Sequence, residues 1–569
     1  MRGINLLAIT ANLVLLLPSA PLQGGGPSLR VDGLAGDWEG RPGSFRQDPA
    51  DDIASPANDL ASISVRNDAT TLYFLVRYEA PYPSTEPDIS LYMDSDNEDA
   101  TGFQYLDAGM DATWNLSDED GSWYFAGDRS LGRGGFLLRS AYDPDNGVLE
   151  MAFPLSMVQA SRGGDAIAFG VIDNDSRDRL PDLGTEAGLH PLDGPVRPFS
   201  PAETMERRHP EDLRILSWNV LRDGPFKNGL DANFGRVLAA LQPDIICFQE
   251  IYEASTIEVL RYVEEWIPLA DEEKFWRGRK NFDCITISRY PIESTRFVDN
   301  NLVTEIETTG ALGHKSWILN AHTPCCEDEE GRLEETDNFM RQLRGRMEEA
   351  QVTGEDPFAI FLVGDMNTGG SRREMLTMAE GEIFNTFTDG PAFDPDWDGS
   401  GLADLAPLWT HERRIDTWRS LNNRDNTSRL DYIFYSDSLV LPARSFILNT
   451  RKVPADLLDA YNLAFADTDA ADHLPLVGDF RSRKPGAPWG RAVIDPSGWM
   501  LDSWLGALNL LDLPLVYSHR LGWLYQGAPT SETGAWFYRY GTGWIWMDRS
   551  FHPWYYDPEI QGWKILSPG

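Results

Sequence analysis

The sequence predicts a multidomain chain: an all-β sandwich, then a central α/β domain, then a small aromatic-rich β module. Three observations predict it. At 569 residues the chain is too long for one core and leaves room for about three or four domains. Across residues 212–482, apolar strand-like runs alternate with helix-length stretches, the signature of an α/β sheet. On either side the signals are all β, with turn clusters between strands before residue 198 and crowded tryptophan and tyrosine after residue 493. The expected boundaries are 1–20 for a signal peptide, 29–198 for the sandwich, 199–211 for a linker, 212–482 for the central domain, 483–492 for a second linker and 493–569 for the last module.

Charge and address narrow the function classes. With 49 basic and 89 acidic residues the formal net charge is −40, which favours solubility and repels nucleic acid and anionic membrane at long range. Screening confines that field to about 10 Å at moderate salt, so a local cleft can still receive an anion. Near the N-terminus, Arg2 precedes an apolar run from Ile4 to Leu17 and then Pro18-Ser19-Ala20, a secretory signal pattern with cleavage near Ala20. The run is shorter than the roughly 20 residues needed to span a membrane, and no later run is long and apolar enough to do so. The expected location is therefore secreted, periplasmic or at the cell surface, and the expected state a monomer. Of the four cysteines, Cys247 and Cys284 lie in apolar runs and read as buried, whereas Cys325 and Cys326 are adjacent; the sequence does not pair them.

In the first domain, Leu72–Val76, Ile89–Met93, Leu149–Phe153 and Ile167–Val171 read as strands between Asp, Asn, Gly and Pro clusters, the pattern of a β-sandwich. Val31-Asp32-Gly33 with Asp37-Trp38, Asn58-Asp59-Leu60, Asn67-Asp68, and Asp94-Ser95-Asp96 leading to Thr101-Gly102 together resemble the family-9-like carbohydrate-binding modules. The resemblance implies Ca²⁺ on the acidic loop, where Asp94, Asp96 and Asp99 offer the hard oxygens that ion prefers. It also implies a polysaccharide or cell-surface polymer as partner, with Trp114 and Trp123 as stacking candidates; aromatic residues in sandwiches otherwise serve the core.

The central domain opens with Leu213–Val220, a buried strand that ends at Asn219. Asn233–Leu241 follows at helical spacing and Pro243 stops it. A second buried strand, Ile245–Phe248, delivers Gln249-Glu250. Cys284–Ser288 is a strand before the Arg289-Tyr290-Pro291 turn, and Ser316–Ala321 ends at His322. Ile360-Phe361-Leu362-Val363 then runs into Gly364-Asp365-Met366-Asn367. Side chains alternate on an extended chain, so Asp365 and Asn367 can point the same way past the strand's end. Open α/β sheets place their chemistry at such ends. Arg429-Leu430-Asp431-Tyr432 and Ala471-Asp472-His473 complete the series. Singly, each reads as a turn or a cap; the ordered set is what points to a site.

In that order the motifs resemble the endonuclease/exonuclease/phosphatase superfamily, which includes deoxyribonuclease-I-like nucleases, abasic-site endonucleases and neutral sphingomyelinases. The resemblance implies a four-layer α/β sandwich, two mixed sheets face to face with helices outside, and metal-assisted hydrolysis of a phosphate ester. Mg²⁺ (or Mn²⁺) neutralises the phosphate and the leaving oxygen; the implied ligands are Glu250, Asp472 and Asn219. Asp365 is implied to orient or deprotonate the attacking water, with Asn367 holding water or phosphate. His473 is implied as base or phosphate contact paired with Asp431, and His322 as donor to a phosphoryl oxygen. The last motif reads Ala-Asp-His where Ser-Asp-His is usual; the serine is not a reacting group, so activity is expected. DNA or RNA is the expected substrate. A phospholipid or sphingomyelin phosphodiesterase, or a non-catalytic surface or carbohydrate-binding protein, is the alternative.

Between Gly369 and Arg429 the arginines Arg372, Arg373, Arg413, Arg414, Arg419 and Arg424 are candidates to hold substrate phosphates. Beyond Lys484–Pro488, Trp523, Tyr525, Trp536, Tyr538, Trp544, Trp546, Tyr556 and Trp563 recur with a spacing of about 20 residues between like members. They predict short hairpins whose aromatics form the core of a small module; attachment to a surface or polymer is the alternative use of those rings.

Overall fold

A computed structural model describes most of residues 29–565; 1–28, 566–569 and internal stretches, of which the longest are 49–57, 156–165 and 484–498, lie outside it. The expected signal peptide and most of the second linker therefore fall outside the described residues.

The N-terminal region is a sandwich of two antiparallel sheets. One runs Ser44–Gln47, Leu60–Asn67, Thr71–Tyr78, Val148–Pro154, Arg139–Asp143. The other includes Ala166–Asp173, Ile89–Asp94, Ala112–Asn115, Asp120–Phe125 and Asp128–Arg133. Inward positions such as Val65, Phe74, Leu91, Trp114 and Phe169 fill the space between them. Trp114 is fully buried, so it serves the core and cannot stack on a sugar.

The central region has the two mixed sheets that the sequence implies. The first runs Arg277–Asn281, Cys284–Ser288, Ile245–Gln249, Leu213–Asn219, Leu476–Ser482, Val440–Ile447. The second runs Ile292–Val298, Asn301–Ile306, Ser316–His322, Ala359–Asp365, Asp431–Tyr435, Ala403–Asp404. Each has one parallel pair at its centre, Leu213–Asn219 with Ile245–Gln249 and Ser316–His322 with Ala359–Asp365, flanked by antiparallel strands. The central strands are buried on both faces, which explains their unbroken apolar runs. Ile215, Cys247, Ile318, Phe361, Val363, Ile433 and Phe480 pack between the sheets.

Helices cover both outer faces. Asp231–Leu241 and Thr256–Trp266 pack on the first sheet through Phe234, Val237, Leu238, Val259 and Val263. Ser255 and Glu258 cap the second of these reciprocally, each satisfying a backbone donor of the other. Glu329–Thr353 and Arg373–Glu380 pack on the second sheet through Phe339, Met340, Leu343 and Met375. Buried Arg214 donates twice to buried Asp479 on the neighbouring strand, at 2.6 and 2.7 Å, and its third bond goes to the Leu241 carbonyl at the end of the first helix. The charge is thus paired and its donors are used, which a buried ion pair requires.

The last region is an eight-stranded antiparallel meander from Trp499–Asp502 to Gly562–Ile565. Its core departs from expectation. Leu508, Val516, Leu524, Ala535, Phe537, Ile545 and Met547 are buried, together with Leu441 of the central domain. Trp523, Tyr525, Tyr538 and Trp544 are exposed on the other face. The two-residue period of a strand explains the reversal: in each Trp-x-Tyr the middle residue is apolar, and that residue faces inward.

Among the described residues no helix is long and apolar enough to cross a membrane. Cys325 and Cys326 are bonded to each other, and Cys247 and Cys284 are buried free thiols.

Candidate active site

Strand register builds the site. In the second sheet His322 lies opposite Asp365, and Asp365 opposite Asp431, so three polar residues form a row across three adjacent strand ends. In the first sheet Asn219 lies opposite Gln249, and the chain then turns at Glu250, which takes a left-handed φ of 63°. Such a conformation is costly for a residue other than glycine and clusters at functional sites. Gly364 makes the row reachable: its φ is 141°, and a Cβ there would sit 2.0 Å from the Ala321 carbonyl oxygen. Directly beneath, Gln249 donates to Asn320 across the two sheets at 2.8 Å, and Asn320 donates to the Phe248 and Ile285 carbonyls.

Asn219 joins the halves. Its amide donates to Glu250 at 3.1 Å and to Asp365 at 2.9 Å. Its carbonyl oxygen, the atom a cation would bind, accepts instead from the Leu221 N–H at 3.1 Å. Asn219 therefore orients two carboxylates, and its carbonyl oxygen keeps one lone pair beyond the Leu221 bond. Glu250 also accepts from the Arg222 N–H at 2.9 Å.

Asp365 sits between two imidazoles. His473 Nδ1 donates to Asp431 at 2.8 Å and turns Nε2 toward Asp365 at 3.5 Å. His322 Nδ1 donates to Asp283 at 2.6 Å and turns Nε2 toward the same Asp365 oxygen at 3.7 Å. The sequence reading missed Asp283. It lies in the two-residue turn between Arg277–Asn281 and Cys284–Ser288, where an aspartate is ordinary turn chemistry. Asn367 takes a left-handed φ of 48° and donates its side-chain amide to the Thr323 carbonyl at 2.9 Å, while its N–H donates to Asp365 at 3.0 Å.

The electrostatics follow from this crowding. Burial alone would depress His473, but the charges of Asp431 and Asp365 and the bond to Asp431 outweigh it and raise the imidazole to about 10. His322 is raised to about 9 by the same balance, burial opposed by Asp283 and Asp365. Burial pushes the Asp365 carboxyl up, against the pull of His473.

The donor set fits a divalent cation. Asp472 Oδ1 and Asp431 Oδ1 are buried without a hydrogen-bond partner, an arrangement a cation would satisfy. Ligand atoms of Asp365, Asp431 and His473 lie within 4.8 Å of one another. Within that trio Asp431 also holds the His473 ring through its other oxygen, and Glu250 reaches the group through Asn219, which donates to both Glu250 and Asp365. Asp472 also accepts from Trp418 Nε1 at 3.2 Å.

In the N-terminal sandwich the acidic group consists of Asp94, Asp96 and Asp111. Asp99 is exposed and not part of it; Asp111, on the facing hairpin, takes its place. Asp94 Oδ2 is buried without a partner, and burial, then the charge of Asp111, raises this carboxyl to about 7. Of the loop arginines, Arg414 pairs with Asp416, Arg419 is buried against Asp469, and Arg373 lies over the Phe384 ring. Arg414 and Arg419 are thus engaged within the protein, Arg373 is exposed, and Arg372, Arg413 and Arg424 lie outside the described residues.

Residues 216–452 match the sequence profile of the Endonuclease/Exonuclease/phosphatase family. The match spans less than half of the chain and assigns the central domain, whose sheets and strand-end row agree with it, to that family of phosphoester hydrolases. Similar solved structures include the human Nocturnin catalytic domain with bound sulfate, at 15% identity, TM-score 0.31, 48% of this chain and 95% of that one. A truncated Caenorhabditis elegans TDP2 is similar at 17% identity, TM-score 0.31, 47% and 97% coverage. An endonuclease/exonuclease/phosphatase from Bacteroides vulgatus is similar at 14% identity, TM-score 0.33, 47% and 98% coverage. No curated protein matches the chain.

Proposed function

We propose that the protein is a metal-dependent phosphodiesterase, acting on DNA or RNA outside the cytoplasm. The observation that carries the reading is the row His322–Asp365–Asp431, closed by His473 and joined through Asn219 to Glu250. Glu250 and Asp472 would hold Mg²⁺ or Mn²⁺, which supplies charge neutralisation for the phosphate and the leaving oxygen. Asp365 holds the attacking water and takes its proton. His473, kept charged and oriented by Asp431, donates to a phosphoryl oxygen; His322, held by Asp283, does so from the other side. Aimed donors of this kind are worth on the order of 3 kcal/mol each. The apolar run from Ile4 to Leu17 supports export.

Purified full-length protein is expected to cleave plasmid DNA and bis(p-nitrophenyl) phosphate with Mg²⁺ or Mn²⁺, and His473→Ala to lose about a thousandfold in rate. A wild type inert on DNA, RNA and simple diesters overturns this reading. Cleavage of sphingomyelin vesicles alone would favour the lipid alternative, and no hydrolysis of any diester the non-catalytic one.

We further propose that Asp94, Asp96 and Asp111 hold Ca²⁺, on the strength of the partnerless Asp94 oxygen. Calcium is expected to raise the melting temperature of the wild type and not that of Asp94→Asn; equal shifts in both would refute the site.

A further inference from the structure

Two aromatic rings stand on the rim beside the row. Phe282 is 60% exposed and Tyr252 38% exposed, and they meet edge to face with centroids 5.8 Å apart. Each follows directly from the site. Tyr252 is two residues beyond Glu250. Phe282 immediately precedes Asp283, the partner of His322. The Ile251 N–H donates to the Asp283 carbonyl at 3.0 Å, so the two segments are stitched together behind the rings. Lys280 Nζ donates to the Tyr252 carbonyl at 2.8 Å, and Asp223 accepts from the Tyr252 N–H at 3.2 Å, which fixes the Tyr252 backbone.

The backbone at Phe282 needs an explanation. Asn281 pairs with Cys284, leaving Phe282 and Asp283 as a two-residue hairpin turn, and Phe282 has φ 47°. Such turns favour Asn or Gly at that conformation, and a bulky residue there is disfavoured. A ring this exposed gains little from the core to offset that cost. Its use lies outward.

The surroundings say what would meet it. Burial and then the charges of Asp283 and Glu250 raise the Tyr252 hydroxyl, and exposed Arg222 supplies the opposing positive charge. Asp223 accepts from the Tyr252 and Glu253 N–H groups and Lys280 donates to the Tyr252 carbonyl, so charged groups sit at the base of the pair, which is not the continuous apolar face that insertion into a bilayer requires. An aromatic platform beside a cation and next to a phosphate site is the arrangement by which proteins hold single-stranded nucleic acid, whose unpaired bases offer a free π-face. We propose that Phe282 and Tyr252 form a clamp for an unpaired nucleobase next to the scissile phosphate, making single-stranded DNA or RNA the preferred substrate; this rests on the phosphodiesterase reading above.

The test uses the full-length protein and two diesters: a deoxydinucleotide of two thymidines, and the same diester lacking both bases. Phe282→Ala is expected to lower kcat/KM about tenfold or more on the first and leave the second unchanged, with Phe282→Trp close to wild type. Equal loss on both, or loss on neither, overturns the clamp and leaves the hydrolase reading intact. A second readout needs no turnover. In EDTA, a fluorescent single-stranded oligonucleotide is expected to bind wild type about tenfold more tightly than Phe282→Ala. If that difference holds while neither diester is cleaved, the clamp stands and the hydrolase reading falls. If Phe282→Ala instead slows sphingomyelin hydrolysis in vesicles and leaves oligonucleotide binding unchanged, the clamp is overturned.

Discussion

Asp365 is the residue on which both histidines converge, and its setting fixes a pH response. An imidazole whose folded-state value exceeds about 6.5 adds stability below that pH and loses it as the pH rises through the folded value. His473 is raised to about 10 and His322 to about 9, and the Asp365 carboxyl is raised as well, so all three changes act in one direction. Protein stripped of metal with EDTA is therefore expected to lose on the order of 3 kcal/mol of stability between about pH 7 and 10. Adding Mg²⁺ should reduce the loss, since the cation takes over the neutralising role of the imidazolium protons. Thermal melts across that window check this; a flat profile in EDTA would mean the rings are not held charged. At this scale the sequence was legible where a polar residue ends an apolar run, as at Asn219, His322 and Asp365. It was not legible where a partner comes from a turn. Asp283 looks like ordinary turn chemistry, and the exchange of Asp111 for Asp99 depends on a hairpin folding back, which spacing along the chain does not reveal.

The strands carry the site because their lengths and pairings agree. His322, Asp365 and Asp431 share one row only in this register; a slip of one residue on Ala359–Asp365 would turn Asp365 to the opposite face. The central strands were legible as unbroken apolar runs, since both faces are covered. The helix predicted from Asn233 begins two residues earlier, at Asp231, where an acidic side chain suits the positive end of the helix dipole. The last module was misread for a physical reason. Tryptophan and tyrosine dominate the eye, but the smaller residues between them form its core, and Leu441 from the Val440–Ile447 strand helps to cover it. Alternation was visible in the sequence; which of its two faces is buried depends on what packs against it.

Across the whole molecule, the region from Ala403 to Ser428 binds the first two domains together. Ile415 is buried in the core of the N-terminal sandwich and Leu408 packs against it. Ser428 pairs with Arg133, so Thr427–Ser428 and Trp418–Arg419 extend one of the sandwich's sheets. Trp418 in turn pairs with His473 and donates to Asp472. Deleting residues 1–198 is expected to bare Ile415 and Leu408, lower the melting temperature by several degrees and cut diester hydrolysis at least tenfold, measured by calorimetry and by the bis(p-nitrophenyl) phosphate assay. A deletion variant as stable and active as the full chain would show that the shared sheet is incidental. Nothing in the local sequence announces this joint, because its pairing partners are separated by hundreds of residues. The joint also limits what can replace the first domain. Exchanging the N-terminal sandwich for another module would leave Ile415 in water and the Thr427–Ser428 strand without its Arg133 neighbour, one strand away from the segment that pairs with His473. Such an exchange calls for compensating substitutions at Ile415 and along Thr427–Ser428.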